Sequence, residues 1–246
     1  MVSSKEEMPM PKQKLAQYKA TLSPAEIAAG MDCATANACR LCEDAELLLA
    51  ESRYPSALSL AALSIEESGK LPVLRALAVA RDEKELSDAW REYRSHTHKN
   101  RMWPFLELFT KGAKRLGDFR SLFEDGTEHP YLLDSVKQLG FYTDCLGKMH
   151  WSVPSEVIGQ ELASAVVRTA RLLLPKRKTS AREVELWIEY VGPVWKGPME
   201  HMEAAVAAWH RQMCQEGLLE GDAEAMERFI VDGTGQSTET EDSSDQ

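Results

Sequence analysis

The chain has 246 residues, of which 43% are hydrophobic, and its formal net charge is -10. A chain of this length can bury a substantial core, and we favour one large domain over two small ones. Its longest uncharged, apolar-rich run covers 54–65, far short of the ~18 residues of a membrane span, so we expect none. The five cysteines are an odd number and the first residues contain no apolar signal-peptide core, which predicts a reduced, cytoplasmic protein.

Caps and apolar spacing predict the first two helices. Ser23 and Glu26 form a capping box before a long run of helix formers, so the first helix should run to about Ser52. The second helix begins at Tyr54 and should bend near Pro72. Its apolar stripe recurs at three- and four-residue spacings and consists of Leu60, Leu63, Leu71 and Leu74.

A third helix should begin at Asp82 and continue through the basic stretch that follows, with a break before Pro104. Strand signals are nearly absent, and the chain shows no internal repeat and no phosphate-binding glycine loop. We therefore predict an all-α bundle of seven or eight helices. The remaining helical patterns cover roughly 105–124, 131–146, 154–174, 180–191 and 197–216.

Charge is distributed unevenly along the chain. Residues 221–246 contain eight acids and one arginine, whereas 91–120 contain eight lysines or arginines and three acids. Residues 171–182 add five cations and no acid. An acidic total therefore does not exclude a basic, phosphate-binding surface. We divide the chain into a flexible N-terminal arm at 1–20, a helical domain at 21–230 and a disordered acidic tail at 231–246.

Two adjacent carboxylates lie on the second predicted helix. Glu67 is four residues from both Leu63 and Leu71, so it falls within the leucine stripe and should need a buried partner. Lys70 can pair with either carboxylate along the helix, which is worth on the order of 0.2–0.5 kcal/mol. That ordinary pair is the favoured interpretation for Glu66. For Glu67 the alternative is a contact with the cations of the third helix, which would fix their positions.

The basic stretch AWREYRSHTHKNR at residues 89–101 contains an arginine followed by two histidines, Arg91, His96 and His98. Arginine offers a permanent forked charge to phosphate oxygens, and histidine exchanges a proton near neutral pH. Together they could cleave RNA without a metal. Judged on spacing alone, a solvated basic helix face is the favoured interpretation.

Metal chemistry is not indicated by the sequence. No histidine has a glutamate three positions before it, which argues against a di-iron bundle site. Cys39 and Cys42 form a single CxxC without a second pair, so packing thiols are favoured over a zinc site. We expect no metal and no other cofactor.

Three blocks together resemble a known family: ALSLAALSIEESGK at 57–70, WREYRSHTHKN at 90–100 and LGFYTDCLGKMHWSVP at 139–154. The combination is similar to the AbiV-like abortive-infection proteins of the HEPN superfamily, which are all-helical nucleases. The resemblance covers about 24–160. It implies an antiphage effector, a metal-independent endoribonuclease toxin that acts on RNA as a homodimer and responds to a phage protein trigger or an antitoxin-like partner. The alternative is a non-catalytic helical binding or sensor module of a defence system.

The resemblance also assigns residues. Its arginine–histidine signature corresponds to Arg91 with His96, or with His98, as catalytic residues. On an uninterrupted helix Arg91 and His98 would lie ~20° from alignment and Arg91 and His96 ~140° apart, so geometry favours His98 whereas the resemblance favours His96. The expected supporting or RNA-binding residues are Glu66, Glu67, Lys70, Arg94, His98, Lys99, Asn100, Arg101, Tyr142 and Asp144.

Overall fold

The computed structural model describes residues 16–95, 129–147 and 149–232, which form an almost entirely helical bundle. The helices are α1 Pro24–Ala50, α2 Tyr54–Ser68, α3 Lys70–Ala78, α4 Glu83–Arg94, α5 His129–Phe141, α6 Pro154–Val157, α7 Gln160–Leu173, α8 Ala181–Val191, α9 Met199–Gln215 and α10 Ala225–Val231. A hairpin of β1 Asp144–Leu146 and β2 His150–Ser152 follows α5, and a 3-10 turn at Gly192–Val194 follows α8. The predicted all-α fold class is confirmed.

The predicted N-terminal caps are both present. In α1 the Ser23 hydroxyl accepts a hydrogen bond from the Glu26 amide at 3.3 Å, and a Glu26 carboxylate oxygen accepts one from the Ser23 amide at 2.7 Å. At the start of α4, Asp82 Oδ1 accepts from the Glu85 amide at 2.8 Å. These bonds satisfy amides that have no partner inside the helix, so short polar side chains locate both helix starts.

The second predicted helix is divided at Gly69 into α2 and α3, three residues before the bend expected at Pro72. Pro72 lies in the first turn of α3. A proline is tolerated there because its missing N–H would have no intrahelical partner. The break therefore falls on the glycine rather than on the proline.

The face of α2 that is buried is not the one the leucine spacing predicted. Leu60 and Leu63 are only partly buried. The fully buried residues are mostly small, and they allow α2 to approach α1 closely. The Ser64 hydroxyl donates to the Ala38 carbonyl of α1 at 2.8 Å. The buried apolar residues of α2 are Ala57, Leu58, Ala61, Ala62 and Ile65.

Two other predicted helices differ from the structure. The helix expected over 131–146 ends at Phe141, and the following residues form the hairpin, which pairs Asp144 with Ser152. The helix expected over 154–174 is interrupted between α6 and α7 at Ile158 and Gly159. Helix α10 was not predicted, and the 105–124 pattern lies outside the described residues.

Helix α1 joins two buried clusters. Its C-terminal half packs with α2, α5 and α7, and its N-terminal half packs with α3, α4 and α8. Trp90 of α4 belongs to the second cluster, and a third surrounds Trp209 between α8 and α9. Within the described ranges, no helix combines the length and the apolar character that crossing a membrane requires. The packing of Trp90 fixes which side of α4 faces solvent.

Candidate functional site

Arg91 lies on the exposed side of α4, in its last turn. Its side chain is 74% exposed, and its guanidinium is 2.8 Å from an Asp88 carboxylate oxygen one turn earlier. Exposed pairs of this kind contribute about 0–1 kcal/mol. Arg91 can therefore exchange Asp88 for a phosphate oxygen at small cost.

Helix α4 ends at Arg94, and Ser95 has an extended backbone with φ -80° and ψ 129°. The expectation that this helix continues to a break before Pro104 is therefore wrong. The angular argument for His98 assumed that continuation, so it no longer applies. The other expected site residues of the stretch lie outside the described residues: His96, His98, Lys99, Asn100 and Arg101.

Arg94 holds the N-terminal segment against α4. Its guanidinium donates to the Trp90 carbonyl at 3.2 Å and to the Tyr18 carbonyl. It also lies 4.9 Å from the centre of the Trp90 ring, a cation–π distance. These contacts give Arg94 a structural role, and its contribution to RNA binding stays a prediction.

Trp90 is the centre of an aromatic group that the sequence analysis missed. Its indole N–H donates to the Ala20 carbonyl at 3.1 Å, and its ring meets Tyr18 and Tyr93 edge-on, with centroids 6.0 and 5.6 Å away. Buried indole N–H groups generally find such an acceptor. Trp90 therefore holds residues 18–20 against α4 and packs against Tyr93 on the same face of the helix.

Glu67 and Lys70 connect the α2–α3 junction to α4. The Lys70 ammonium is 2.6 and 2.8 Å from the two Glu67 oxygens and 5.4 Å from the centre of the Tyr93 ring. The expected pair therefore forms. Glu67 was also expected to reach the cations of the third helix, but the contact described with α4 is made by Lys70.

Glu66, rather than Glu67, is the deeply buried carboxylate. Its side chain is 4% exposed and lies 2.5 Å from the ammonium of Lys137, which is itself 6% exposed and also lies 2.8 Å from Asp134 of α5. Glu66 was expected to pair with Lys70. It is buried because it follows Ala62 by one helical turn, on the face that packs into the bundle, whereas the leucine stripe pointed to Glu67.

The α2–α5 contact that carries this ion pair depends on Gly140. A Cβ at Gly140 would lie 2.3 Å from the Ser59 hydroxyl and 3.0 Å from the Pro55 carbonyl. The Ser59 hydroxyl also donates to the Lys137 carbonyl at 3.4 Å. Burial lowers the pKa of Lys137, but hydrogen bonds to Asp134 and Glu66 outweigh it and the pKa is raised. Lys137 is therefore charged when buried.

Tyr142 and Asp144 have local contacts. Tyr142 is 62% exposed and its ring is 6.1 Å from that of Phe141. Asp144 accepts a hydrogen bond from the Cys145 amide at 2.7 Å, and its backbone amide donates to the Ser152 hydroxyl at 3.2 Å. These bonds close the hairpin, and the supporting or RNA-binding role expected of Tyr142 and Asp144 stays a prediction.

A second ion cluster joins α3 to the C-terminal helices. Glu183 is 2% exposed and lies 3.2 Å from Arg75 and 2.6 Å from Arg177. The Arg75 guanidinium lies beside a pair of indoles that contact each other edge-on, 5.5 Å from the centre of the Trp187 ring and 5.2 Å from that of Trp209. Burial lowers the pKa of Arg75, whereas Glu183 acts to raise it. The sequence analysis missed this cluster, for which the two tryptophans were the available signal.

The basic run at 171–182 is largely paired with carboxylates. Arg177 contacts Glu183, and Arg182 lies 2.9 Å from Glu216. Arg171 lies 3.5 Å from Glu46. This run is therefore less available to phosphates than its composition suggested.

Among the described residues, no group of three or more His, Cys, Asp or Glu side chains could hold a metal ion. All five cysteine thiols are free. Burial, followed by the nearby Glu46 carboxylate, raises the pKa of the Cys42 thiol to about 11. Cys42 is thus a core residue, as the packing interpretation of the CxxC predicted.

These features define an all-helical protein with an exposed arginine at the end of a helix that is held by the N-terminal segment and by Lys70, a candidate site for a phosphate group. The HEPN AbiV family model, described as AbiV, matches residues 26–175. The chain belongs to this AbiV family of HEPN proteins. The matched region extends from α1 through α7, so α8 to α10 follow it. No curated protein and no solved structure matches the chain.

Proposed function

We propose that this protein is a cytoplasmic abortive-infection effector of antiphage defence and acts as a metal-independent endoribonuclease toxin. The observation that carries the proposal is Arg91, which is exposed and weakly paired in the last turn of α4, four residues before the segment SHTHKNR, in a chain of the HEPN AbiV family. An antitoxin-like partner would restrain the toxin in uninfected cells, or a phage protein trigger would activate it on infection.

The reaction transfers a phosphoryl group within the RNA. The ribose 2′-oxygen attacks the adjacent phosphorus, the bond to the 5′-oxygen breaks, and a 2′,3′-cyclic phosphate and a 5′-hydroxyl are left. A base takes the 2′-hydroxyl proton and an acid gives one to the leaving oxygen. His96 supplies one of these proton transfers, and Arg91 stabilises the charge that develops on the phosphoryl oxygens.

A homodimer would complete this site. One histidine cannot act as base and acid in the same step, whereas two copies facing one phosphate supply two histidines and two arginines. Light scattering should therefore report about twice the chain mass of 27.6 kDa. A strict monomer at micromolar concentration that still cleaves RNA would contradict the shared site.

The contacts of α4 support this proposal by fixing the helix backbone that carries Arg91. Tyr93 is contacted by Lys70, which in turn is held by Glu67, and Trp90, on the same face of α4, is anchored to Ala20. Charged side chains stabilise a transition state most when they are already in position, because no reorganisation is then needed during the reaction. In this proposal Glu67 and Lys70 are positioning residues.

The test is cleavage of mixed cellular RNA by the purified full chain in EDTA. Arg91→Ala and His96→Ala should each lower the cleavage rate by at least ~100-fold, the scale expected for a positioned acid or base. His98→Ala should have a smaller effect. The matched control is Arg40→Ala, because Arg40 forms an exposed intrahelical pair with Asp44 at 3.1 Å on α1 and should leave cleavage unchanged.

The outcomes separate the alternatives. If His98→Ala were inactive and His96→Ala nearly normal, His98 rather than His96 would be the catalytic histidine, and the location of the site would still stand. Full activity of both histidine variants would exclude the nuclease mechanism. RNA binding without cleavage under every condition would favour the non-catalytic binding or sensor module.

A further inference from the structure

A groove lies beside Arg91, between α4 and the N-terminal segment. It has a volume of about 710 Å³, and its lining includes Gln17, Lys19, Ser87, Trp90, Arg91 and Arg94. One wall is a face of α4 that extends along the whole helix, and the other is formed by Gln17 and Lys19. The groove is lined by the same arginine that the proposed function assigns to the reacting phosphate.

The N-terminal wall is fixed in place by the core of the protein. The Trp90 indole donates to the Ala20 carbonyl at 3.1 Å, and the Arg94 guanidinium donates to the Tyr18 carbonyl. Lys19 lies between these two anchored residues and is exposed. The backbone on either side of Lys19 is therefore held, and Lys19 lines the groove opposite the α4 wall.

The charges of the groove suit an anionic strand. Lys19 on one wall and Arg91 on the other are cations with exposed side chains, while Arg94 carries a third positive charge in the lining. Glu83 is the acid among the lining residues, at the opposite end of α4 from Arg91. Positive charge is thus concentrated at the end of the groove nearest Arg91.

We propose that this groove binds the single-stranded RNA that flanks the cleaved bond, and that Lys19 contacts a phosphate next to the one held by Arg91. The inference rests on the proposed function, because it takes Arg91 as the contact with the reacting phosphate. The volume lies within the ~300–1,000 Å³ of sites that enclose small ligands, which suits a short piece of one strand. An endonuclease must hold nucleotides beside the scissile bond, and positioning them is a large part of its rate.

The test measures binding of a fluorescent single-stranded RNA oligonucleotide by anisotropy, using the full chain with His96→Ala so that the RNA stays intact. Lys19→Ala is compared with Lys84→Ala, which removes an exposed lysine of α4 that is not among the groove residues. Each phosphate contact to a single strand contributes about 0.7 to the slope of log affinity against log salt. Lys19→Ala should therefore make the slope shallower by about 0.7, so that each tenfold dilution of salt strengthens its binding roughly 5-fold less than that of the His96→Ala background.

Lys84→Ala should change neither quantity, and Lys19→Arg should restore both, because the proposed contact needs the charge rather than the ammonium itself. The groove assignment would be overturned if the His96→Ala background bound RNA and Lys19→Ala and Lys84→Ala then gave equal slopes and affinities. The proposed nuclease function would not be affected by that result. If that background bound no RNA and the wild-type chain cleaved none, the proposed function would fall and the inference with it. Thermal unfolding of each variant checks that the fold is kept.

Discussion

Replacing Lys137 by methionine tests the buried ion pair between α2 and α5. The substitution keeps the length of the side chain and removes the ammonium that lies 2.5 Å from Glu66 and 2.8 Å from Asp134. Removing one partner of a buried pair typically costs 3–5 kcal/mol, whereas an exposed pair contributes less than ~1 kcal/mol. Because the Glu66 and Lys137 side chains are 4% and 6% exposed, we expect Lys137→Met to lower the free energy of unfolding by about 3–5 kcal/mol.

A second substitution separates charge from packing. In Glu66→Leu with Lys137→Met, two apolar side chains of similar size replace the pair, which is often neutral or stabilising. The double variant should therefore recover at least half of the loss. The free energy of unfolding of both variants is measured by urea denaturation. A change in the urea midpoint without a change in the dependence of that free energy on urea concentration identifies an effect on stability. Lys84→Met, an exposed change, should stay within about 0.5 kcal/mol of wild type.

The same pair predicts a pH dependence. The pKa of Lys137 is raised, so the stability it contributes is fully present below the ordinary lysine value of about 10.4 and is lost as pH rises through the folded-state pKa. The difference in unfolding free energy between wild type and the double variant should thus fall above that pH.

A loss below ~1 kcal/mol for Lys137→Met, or a double variant less stable than the single one, would refute the argument that Lys137 stabilises the fold as a buried charge.

Three further results are expected. Glu183→Gln keeps one acceptor but removes the buried charge that pairs with two arginines, so it should lower the free energy of unfolding in urea by about 1–3 kcal/mol. Glu185→Gln, at an exposed pair, should lower it by less than about 0.5 kcal/mol. Equal effects of the two substitutions would contradict a stabilising role of the Glu183 cluster. Cys42 is buried and its pKa is raised to about 11, so it should react with a thiol reagent at pH 8 far more slowly than the exposed Cys33. Peptide mass spectrometry can resolve the two rates, and equal rates would show that the core opens. Deleting residues 233–246 should leave the thermal midpoint unchanged, because the segment has little apolar surface to bury, and a large drop would show that it docks.

Several features of the fold follow from neighbours along the chain, and the sequence predicted them correctly. Ser23 with Glu26 and Asp82 before α4 satisfy backbone amides within the same turn, so no distant residue is needed to place these starts. The thiol of Cys42 was also assigned correctly to packing, because its CxxC lacked the second pair that a zinc site needs. The assignment of Arg91 to a catalytic role came from the family resemblance, because spacing alone favoured a solvated basic face, and that role stays a prediction.

Other features depend on which helices meet. Glu66 and Glu67 are adjacent, and only one of them is deeply buried. The small residues through which α2 packs against α1 determine that it is Glu66, and the leucines of α2 alone do not. The hairpin after Phe141 is too short to show alternation.

The sequence by itself determined the helical class and the main helix starts, because these depend on side chains acting within one turn, whereas Arg91 was assigned by the family resemblance. Only the tertiary structure decided that Lys137 is the partner of Glu66, 71 positions away, and that Glu183 neutralises Arg75, 108 positions away. It also decided that Arg94 holds the N-terminal segment while Arg91 faces solvent. The physical reason is that a charge is buried or exposed according to the surface packed against its helix, and that surface comes from distant parts of the chain.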